Sequence, residues 1–334
     1  MTDSRITVAI DAMGGDRAPH EMVAGALLAV AELPVDALLV GAEPAIRDLL
    51  PDGEPPEHVE ILATSDVIGM HDDPASSVRT RKDASMVRCA EAVHDGRAQA
   101  MVGAGNTGAT MASALLRMGR IKGVARPAIA VPIPVPGSGS QLLVDGGATV
   151  DCSPEWLVQF ARMGREYSRV RYGVDAPTIG LLSNGEESSK GDALRKEAHP
   201  LLADVKGFVG NVEGREFMTG RPDVIVTDGF TGNVALKTLE GAGKAIADLV
   251  FGVLSSTPEA KEAAKVLAPL LLDAAVVLDP DDTGGAMLLG VNGVCVISHG
   301  SSSARAIVNA CRVAADAVAA DVVTNIKEAI ADAG

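Results

Sequence analysis

Lys190 has the most chemically telling surroundings in this chain. The run Ser183-Asn184-Gly185-Glu186-Glu187-Ser188-Ser189-Lys190-Gly191 puts hydroxyls and an ammonium just after the apolar segment Ile179 to Leu182. A cation at a helix start is unfavourable unless an anion joins it, so the run predicts a phosphate contact; the plain alternative is a solvated lysine. A second run, Gly103-Ala104-Gly105-Asn106-Thr107-Gly108, offers N–H groups and close approach, which makes Gly105, Asn106, Thr107 and Gly108 candidate substrate-binding residues. Simple tight turning is the competing reading of its glycines.

Four more runs have the same form. Ile6 to Ile10 precedes Asp11-Ala12-Met13-Gly14-Gly15-Asp16, where Asp11, Gly14, Gly15 and Asp16 are candidate substrate-binding residues. Val224 to Thr227 precedes Asp228-Gly229-Phe230-Thr231-Gly232-Asn233, where Asp228 and Asn233 are candidate catalytic groups and Gly232 a binding one. Val294 to Ile297 precedes Ser298-His299-Gly300, with His299 as the candidate donor, and Leu142 to Val144 precedes Asp145-Gly146-Gly147. Asp11 and Asp228 either position a substrate or cap the following turn, and a lone His299 is equally a satisfied structural group. The chain has no GxxxxGK[ST], no dinucleotide fingerprint, no Gly-x-Ser-x-Gly elbow and no metal-ligand spacing, so neither a metal nor a cofactor is expected.

Apolar runs ending in such loops, followed by helical periodicity, predict a parallel α/β sheet whose loops all lie at the carboxyl ends of its strands, where open sheets bind ligands. Further strands are expected at Ala37 to Val40 and Val59 to Leu62, and helices at His20 to Ala31, Ser85 to Val93, Glu155 to Tyr167 and Ser301 to Ile330. Ala128 to Gly139 alternates prolines with apolar residues, which predicts a strand at the edge of the sheet. Residues 233–278 contain no strand and read as a projecting helical hairpin, with Pro258 opening its second helix and Pro269 interrupting it. The fold class is α/β, a three-layer α/β/α unit with a largely parallel, Rossmann-like sheet, expected to form one domain over residues 1–334.

The formal charge of −15 argues against a nucleic-acid partner, and only eight aromatics (Phe 5, Tyr 2, Trp 1) leave little to stack on bases. Four cysteines far apart in sequence, Cys89, Cys152, Cys295 and Cys311, argue against a disulfide framework or zinc site and for buried small residues. The start, Met1 to Arg5, runs into the first strand without a signal core, and no run reaches the roughly 18 apolar residues of a membrane span, so a cytoplasmic protein is expected.

Taken together, Asp11 to Pro19, Gly103 to Ala109, Gly119-Arg120-Ile121-Lys122-Gly123 and Val226 to Gly241 resemble the PlsX-type phosphate acyltransferases, and the likeness runs on to His299-Gly300-Ser301-Ser302. The resemblance implies transfer of a long-chain acyl group from acyl carrier protein to inorganic phosphate, giving acyl phosphate for glycerophospholipid synthesis. It also implies a homodimer and a fold related to isopropylmalate dehydrogenases and phosphate acetyltransferases. Family members often carry Asn at the place of Ser183 and Asn-Val-Asp where this chain reads Thr149-Val150-Asp151. Competing readings are a phosphotransacylase using acyl-CoA, a membrane-associated scaffold without catalysis, and, from the fold alone, an NAD-dependent dehydrogenase.

A phosphate already ionised near neutral pH, attacking a thioester whose thiol leaves readily, needs positioning and electrostatics more than a strong acid or base. Lys190 and the N–H groups near Asn106 and Thr107 are expected to hold phosphate, with Asn233 or His299 donating to the oxyanion. An acidic carrier protein needs a basic patch; the candidates are Arg79-Thr80-Arg81-Lys82 and the group Arg117, Arg120, Lys122 and Arg126. The hairpin's Leu249, Val250, Phe251, Val253, Leu254 and Leu267 suit reversible contact with the inner membrane surface, or else packing in a dimer or on the sheet. A downstream acyltransferase is a further expected partner.

Overall fold

The computed structural model describes residues 5–137, 139–276 and 280–331; the ends of two expected segments, Ser138 in the proline-rich run and Val277 and Leu278 in the hairpin, lie outside the described residues. Among the described residues the strands are β1 (Ile6–Asp11), β2 (Val35–Gly41), β3 (Val59–Ala63), β4 (Ala100–Gly103), β5 (Ala128–Val135), β6 (Gly139–Val144), β7 (Ile179–Leu182), β8 (Phe208–Val212), β9 (Val224–Val226), β10 (Ala286–Leu289) and β11 (Val294–Ile297). The helices of the first half are α1 (His20–Glu32), α2 (Glu43–Arg47), α3 (Pro74–Thr80), α4 (Ser85–His94), α5 (Thr107–Arg117) and α6 (Pro154–Tyr172). Those of the second half are α7 (Ala193–Leu202), α8 (Gly229–Leu254), α9 (Pro258–Val276), α10 (Pro280–Thr283), α11 (Ala304–Ala319) and α12 (Val322–Ala331).

Period-two side-chain alternation builds three layers. Val8 and Ile10 of β1, Leu142 and Val144 of β6, and Val224 and Val226 of β9 face one core, which α1, α6, α7, α11 and α12 cover. Ala9 turns instead toward a core shared with α4 and α5, while Leu143 and Ile225 meet Leu236 and Leu239 of α8. The expected α/β/α architecture is therefore present.

The strands form one sheet in the order β3-β2-β1-β4-β11-β10-β5-β6-β9-β7-β8. Most neighbours are parallel, but the β11–β10, β10–β5 and β5–β6 pairs are antiparallel. Three successive reversals make β6, β9, β7 and β8 run opposite to β1, β4 and β11, so the six loops do not all lie at one end of the sheet as expected. They form two groups on oppositely directed half-sheets.

The proline-rich strand is also central rather than at the edge. β10 pairs only with Ala128–Ala130, leaving the part of β5 that holds Pro132 and Pro134 bonded on one side alone, to β6. The missing proline N–H groups fall on that open side, so a central strand tolerates them. The last expected helix breaks into α11 and α12, with Asp321 in the left-handed region at φ 47°.

The expected hairpin is present as α8 and α9. α8 spans 26 residues, about 39 Å at 1.5 Å per residue. Its first turns press on the sheet, and every residue from Gly241 to Val253 is exposed. Against expectation, α9 continues through Pro269. Among the described residues no helix is long and apolar enough to cross a membrane.

Candidate active site

The first loop group sits at the carboxyl ends of β1, β4 and β11. Its loops adjoin because these strands pair, and they are tied by Ser298 N–H donating to the Gly103 carbonyl (2.9 Å) and Asp16 N–H to that of Gly300 (2.8 Å). Glycine is needed where they cross: a Cβ on Gly14 would lie 2.6 Å from Asp11 Oδ2 and 3.0 Å from Gly105 N. Gly15 has φ 112°, a conformation other residues rarely adopt.

Asn106 caps α5, its Oδ1 accepting from Ala109 N–H (3.1 Å), while its Nδ2 donates to the carbonyls of Gly69, Met70 and Asp72. The side chain is thereby spent on structure. By contrast, the N–H groups of Gly105, Asn106, Thr107 and Gly108 donate to nothing among the described residues. Four free N–H groups at the positive end of α5, beside the exposed Thr107 hydroxyl, form a cradle suited to an anion.

His299 is exposed. Its Nδ1 accepts from Ser301 N–H (3.3 Å) and lies 2.8 Å from Ser301 Oγ. A backbone N–H can only donate, so the neutral imidazole carries its proton on Nε2 and can offer it. Asp11 is fully buried; burial pushes its carboxyl up, against the Ser85 hydroxyl and the N–H groups of Met13 and Gly14. It organises the loop from beneath, whereas Asp16 is exposed.

The second group lies at the ends of β6, β7 and β9. Asp145 is buried and accepts four backbone N–H bonds, from Ile129, Gly147, Ala148 and Thr149, at 2.7–3.0 Å. Burial raises its pKa against these four donors. A Cβ on Gly232 would fall far inside contact distance of the Asp145 carbonyl, so this glycine serves the seating of α8. Asn233, one residue on, is exposed, and its Nδ2 lies 3.4 Å from the Gly146 carbonyl.

Asp228 caps α8 by accepting from Thr231 N–H (2.8 Å) and pairs with Arg195, a residue without a role in the sequence reading. Arg195 is buried and also donates to Thr227 Oγ1 (2.7 Å), Thr231 Oγ1 (3.1 Å), Asp192 Oδ2 (3.0 Å) and the Leu182 carbonyl (3.3 Å). Burial works to raise the Asp228 pKa, but the Thr231 N–H and hydroxyl together with Arg195 bring it below the ordinary value. The only sequence hint of the pair was Arg195 three residues after the helix-capping Asp192.

Lys190 is not at a helix start. Asp192 caps α7 by accepting from Arg195 N–H, so the helix begins at Ala193, and Lys190 stands exposed in a preceding loop closed by Gly191 N–H to Asn184 Oδ1 (2.9 Å). Its ammonium has no partner among the described residues. Among the described residues no hydrogen bond or ion pair joins the two groups, yet both border one face: Ala148 of the Asp145 loop packs on the same core as Met111 and Ala112 of α5.

Cys89, Cys295 and Cys311 are buried and Cys152 partly so; burial lifts the last three thiols to about 12, and Cys89 also rises. All four are unsuited to act as nucleophiles. Among the described residues no cluster of metal-binding side chains occurs.

A family model described as "Fatty acid synthesis protein" matches residues 6–325. The chain is 44% identical to the phosphate acyltransferase of Desulfitobacterium hafniense (strain DSM 10664 / DCB-2) over 323 residues, 96% of each protein. It is 46% identical to that of Geobacillus sp. (strain WCH70) over 325 residues, covering 97% of this chain and 98% of the relative. In fold it resembles a phosphotransacetylase from Streptococcus pyogenes, with a TM-score of 0.62 at 16% identity over 96% of this chain and 94% of that one. A branched-chain phosphotransacylase from Enterococcus faecalis V583 follows at a TM-score of 0.57 and 16% identity, over 94% and 99%. With a family match across nearly its whole length and relatives above 40% identity, the chain belongs to the PlsX-type phosphate acyltransferases, enzymes of acyl transfer to phosphate.

Proposed function

We propose that the protein transfers a long-chain acyl group from acyl carrier protein to inorganic phosphate, yielding acyl phosphate for glycerophospholipid synthesis. The observation that carries the site assignment is the row of free N–H groups from Gly105 to Gly108, a ready anion cradle beside His299. A phosphate oxygen attacks the thioester carbonyl carbon, a C–O bond forms, the C–S bond breaks, and the pantetheine thiolate leaves and takes a proton from solvent. The cradle and the Thr107 hydroxyl hold phosphate, Lys190 neutralises it, and Asn233 or the Nε2–H of His299 donates to the developing oxyanion.

The two loop groups must meet for this chemistry. Sheet twist supports a common cleft: five steps separate β4 from β9, and at about 20–25° per step they turn by about 100–125°, swinging topologically opposed strand ends toward one side. Two copies in a homodimer are the natural assembly for the family.

For the acidic carrier we favour Arg120, Lys122 and Arg126. Arg120, Lys122 and Arg126 form no ion pair among the described residues, whereas Arg117 is held by Glu91 (3.3 Å), and Arg81 by Asp72 (2.8 Å) and the Val67 carbonyl. The exposed Leu249, Phe251 and Val253 of α8 support contact with the membrane surface where the acyl product belongs.

The test is incubation of purified protein with acyl-acyl carrier protein and phosphate, trapping acyl phosphate with hydroxylamine. Hydroxamate formation dependent on protein and phosphate is expected, and Lys190→Ala should lose about two powers of ten in kcat/KM. No trapped product would favour the scaffold reading, and wild-type kinetics for the variant would remove Lys190 from the site.

A further inference from the structure

A cleft of about 460 Å³ lies between α6, the α7–β8 turn and α12. It belongs to neither loop group: the turn that ends α7 enters β8 at its amino end, whereas the Lys190 loop leaves β7 at its carboxyl end. Arg162, Arg165, Arg169 and Lys206 line it together with Asp204 and Glu328. Arg169 is neutralised by Glu166 and also donates to Asn325 (3.0 Å). Arg162, Arg165 and Lys206 form no ion pair among the described residues, and the buried Arg165 Nε has no hydrogen-bond partner. The remaining balance is three positive charges against two negative, a cationic spot on a chain of formal charge −15.

Cations gathered in one concavity repel one another, and Asp204 and Glu328, which pair directly with none of the three among the described residues, offset that repulsion only in part. Arg165 is half-buried on α6, with its Nε shielded from solvent, and Lys206 stands exposed on the turn. The two carboxylates oppose weakly charged anions, leaving ligands dense enough in charge to engage all three cations. Guanidinium forks favour phosphate oxygens over a diffuse charge. No aromatic side chain lines the cleft, so a nucleobase gains nothing by stacking there.

We propose that this cleft is a second anion site, separate from the acyl-transfer site, that binds a compact phosphate-bearing anion through Arg162, Arg165 and Lys206. The ligand's charged group is of the diphosphate class, free or as the end of a nucleotide.

Calorimetric titration of the full-length protein with inorganic pyrophosphate and, separately, with ADP tests this. Saturable pyrophosphate binding is expected, at least tenfold weaker in Arg165→Met/Lys206→Met and unchanged in Lys190→Ala, with ADP binding no tighter than pyrophosphate. Because Arg165→Met can disturb packing, the exposed single variant Lys206→Met, checked by circular dichroism, should by itself weaken binding severalfold. Absence of saturable binding, binding indifferent to both cleft variants, or binding lost only in Lys190→Ala overturns the proposal. ADP binding much tighter than pyrophosphate also contradicts it, because it requires a base pocket the cleft lacks.

Discussion

The Arg195–Asp228 pair should be strongly coupled to stability. Their side chains are only 8% and 7% exposed, and Arg195 joins the end of β7, the cap of α7 and the first turn of α8. Removing one partner of a buried pair leaves an uncompensated charge, typically costing about 3–5 kcal/mol. For Arg195→Met the lower end, about 3 kcal/mol, is expected, because Asp228 keeps the Thr231 N–H and hydroxyl. For Asp228→Asn about 2 kcal/mol is expected, since the amide preserves shape and Arg195 retains Asp192. The double variant should fall short of the sum by about 2 kcal/mol, the coupling of contacting residues. Urea unfolding followed by circular dichroism at pH 7 measures all three. Additivity within about 0.5 kcal/mol would refute the reasoning, because independent sites add to that precision. The pH dependence supplies a second check of the same pair. The folded pKa of Asp228 is depressed, so its contribution is complete above the ordinary carboxylate pKa of about 3.9 and is lost as pH falls through the folded value. Asp228→Asn should therefore flatten the acid limb of the stability profile below about pH 4.

Two other predictions concern α8. Gly232→Ala should destabilise by about 3 kcal/mol or more, since its Cβ meets the Asp145 backbone, whereas Gly241→Ala meets nothing within 4 Å and should stabilise the helix by about 0.5–1 kcal/mol; thermal unfolding compares them, and equal effects would contradict the packing argument. Replacing exposed Leu249 and Phe251 with Glu should abolish sedimentation with phospholipid vesicles while acyl transfer persists in solution; unchanged vesicle binding would exclude this face as the contact.

Much of the architecture was legible because period-two apolar runs and turn residues report local structure directly. β1, β2, β3 and the hairpin follow the sequence pattern closely. What escaped is relational. The antiparallel β10 between β11 and β5, Ala286–Leu289, runs through a short turn straight into β11 rather than into a helix, so it lacks the strand-loop-helix pattern, yet it helps invert half the sheet. Pro132 and Pro134 indicated an edge correctly for one side of β5 and misleadingly for the strand as a whole. The glycines and acids of the loops were visible as a chemistry-bearing set, but not their division of labour. Gly14, Gly232 and the Asn106 side chain turn out to serve close packing and capping. The spacing of Arg195 from Asp192 did not disclose the pair with Asp228, because Thr227, Asp228 and Thr231 lie 32–36 residues away and only the fold brings them together.

Donor choice is the most direct test of the central claim. Purified protein should be given equal concentrations of acyl-acyl carrier protein and the matching acyl-CoA in one reaction with phosphate, and consumption of each thioester followed by mass spectrometry. Acyl phosphate is expected to form with faster consumption of the carrier-protein donor, an advantage that shrinks as salt screens the acidic carrier from Arg120, Lys122 and Arg126. Preferential consumption of acyl-CoA at every salt concentration, or loss of neither donor, would contradict it.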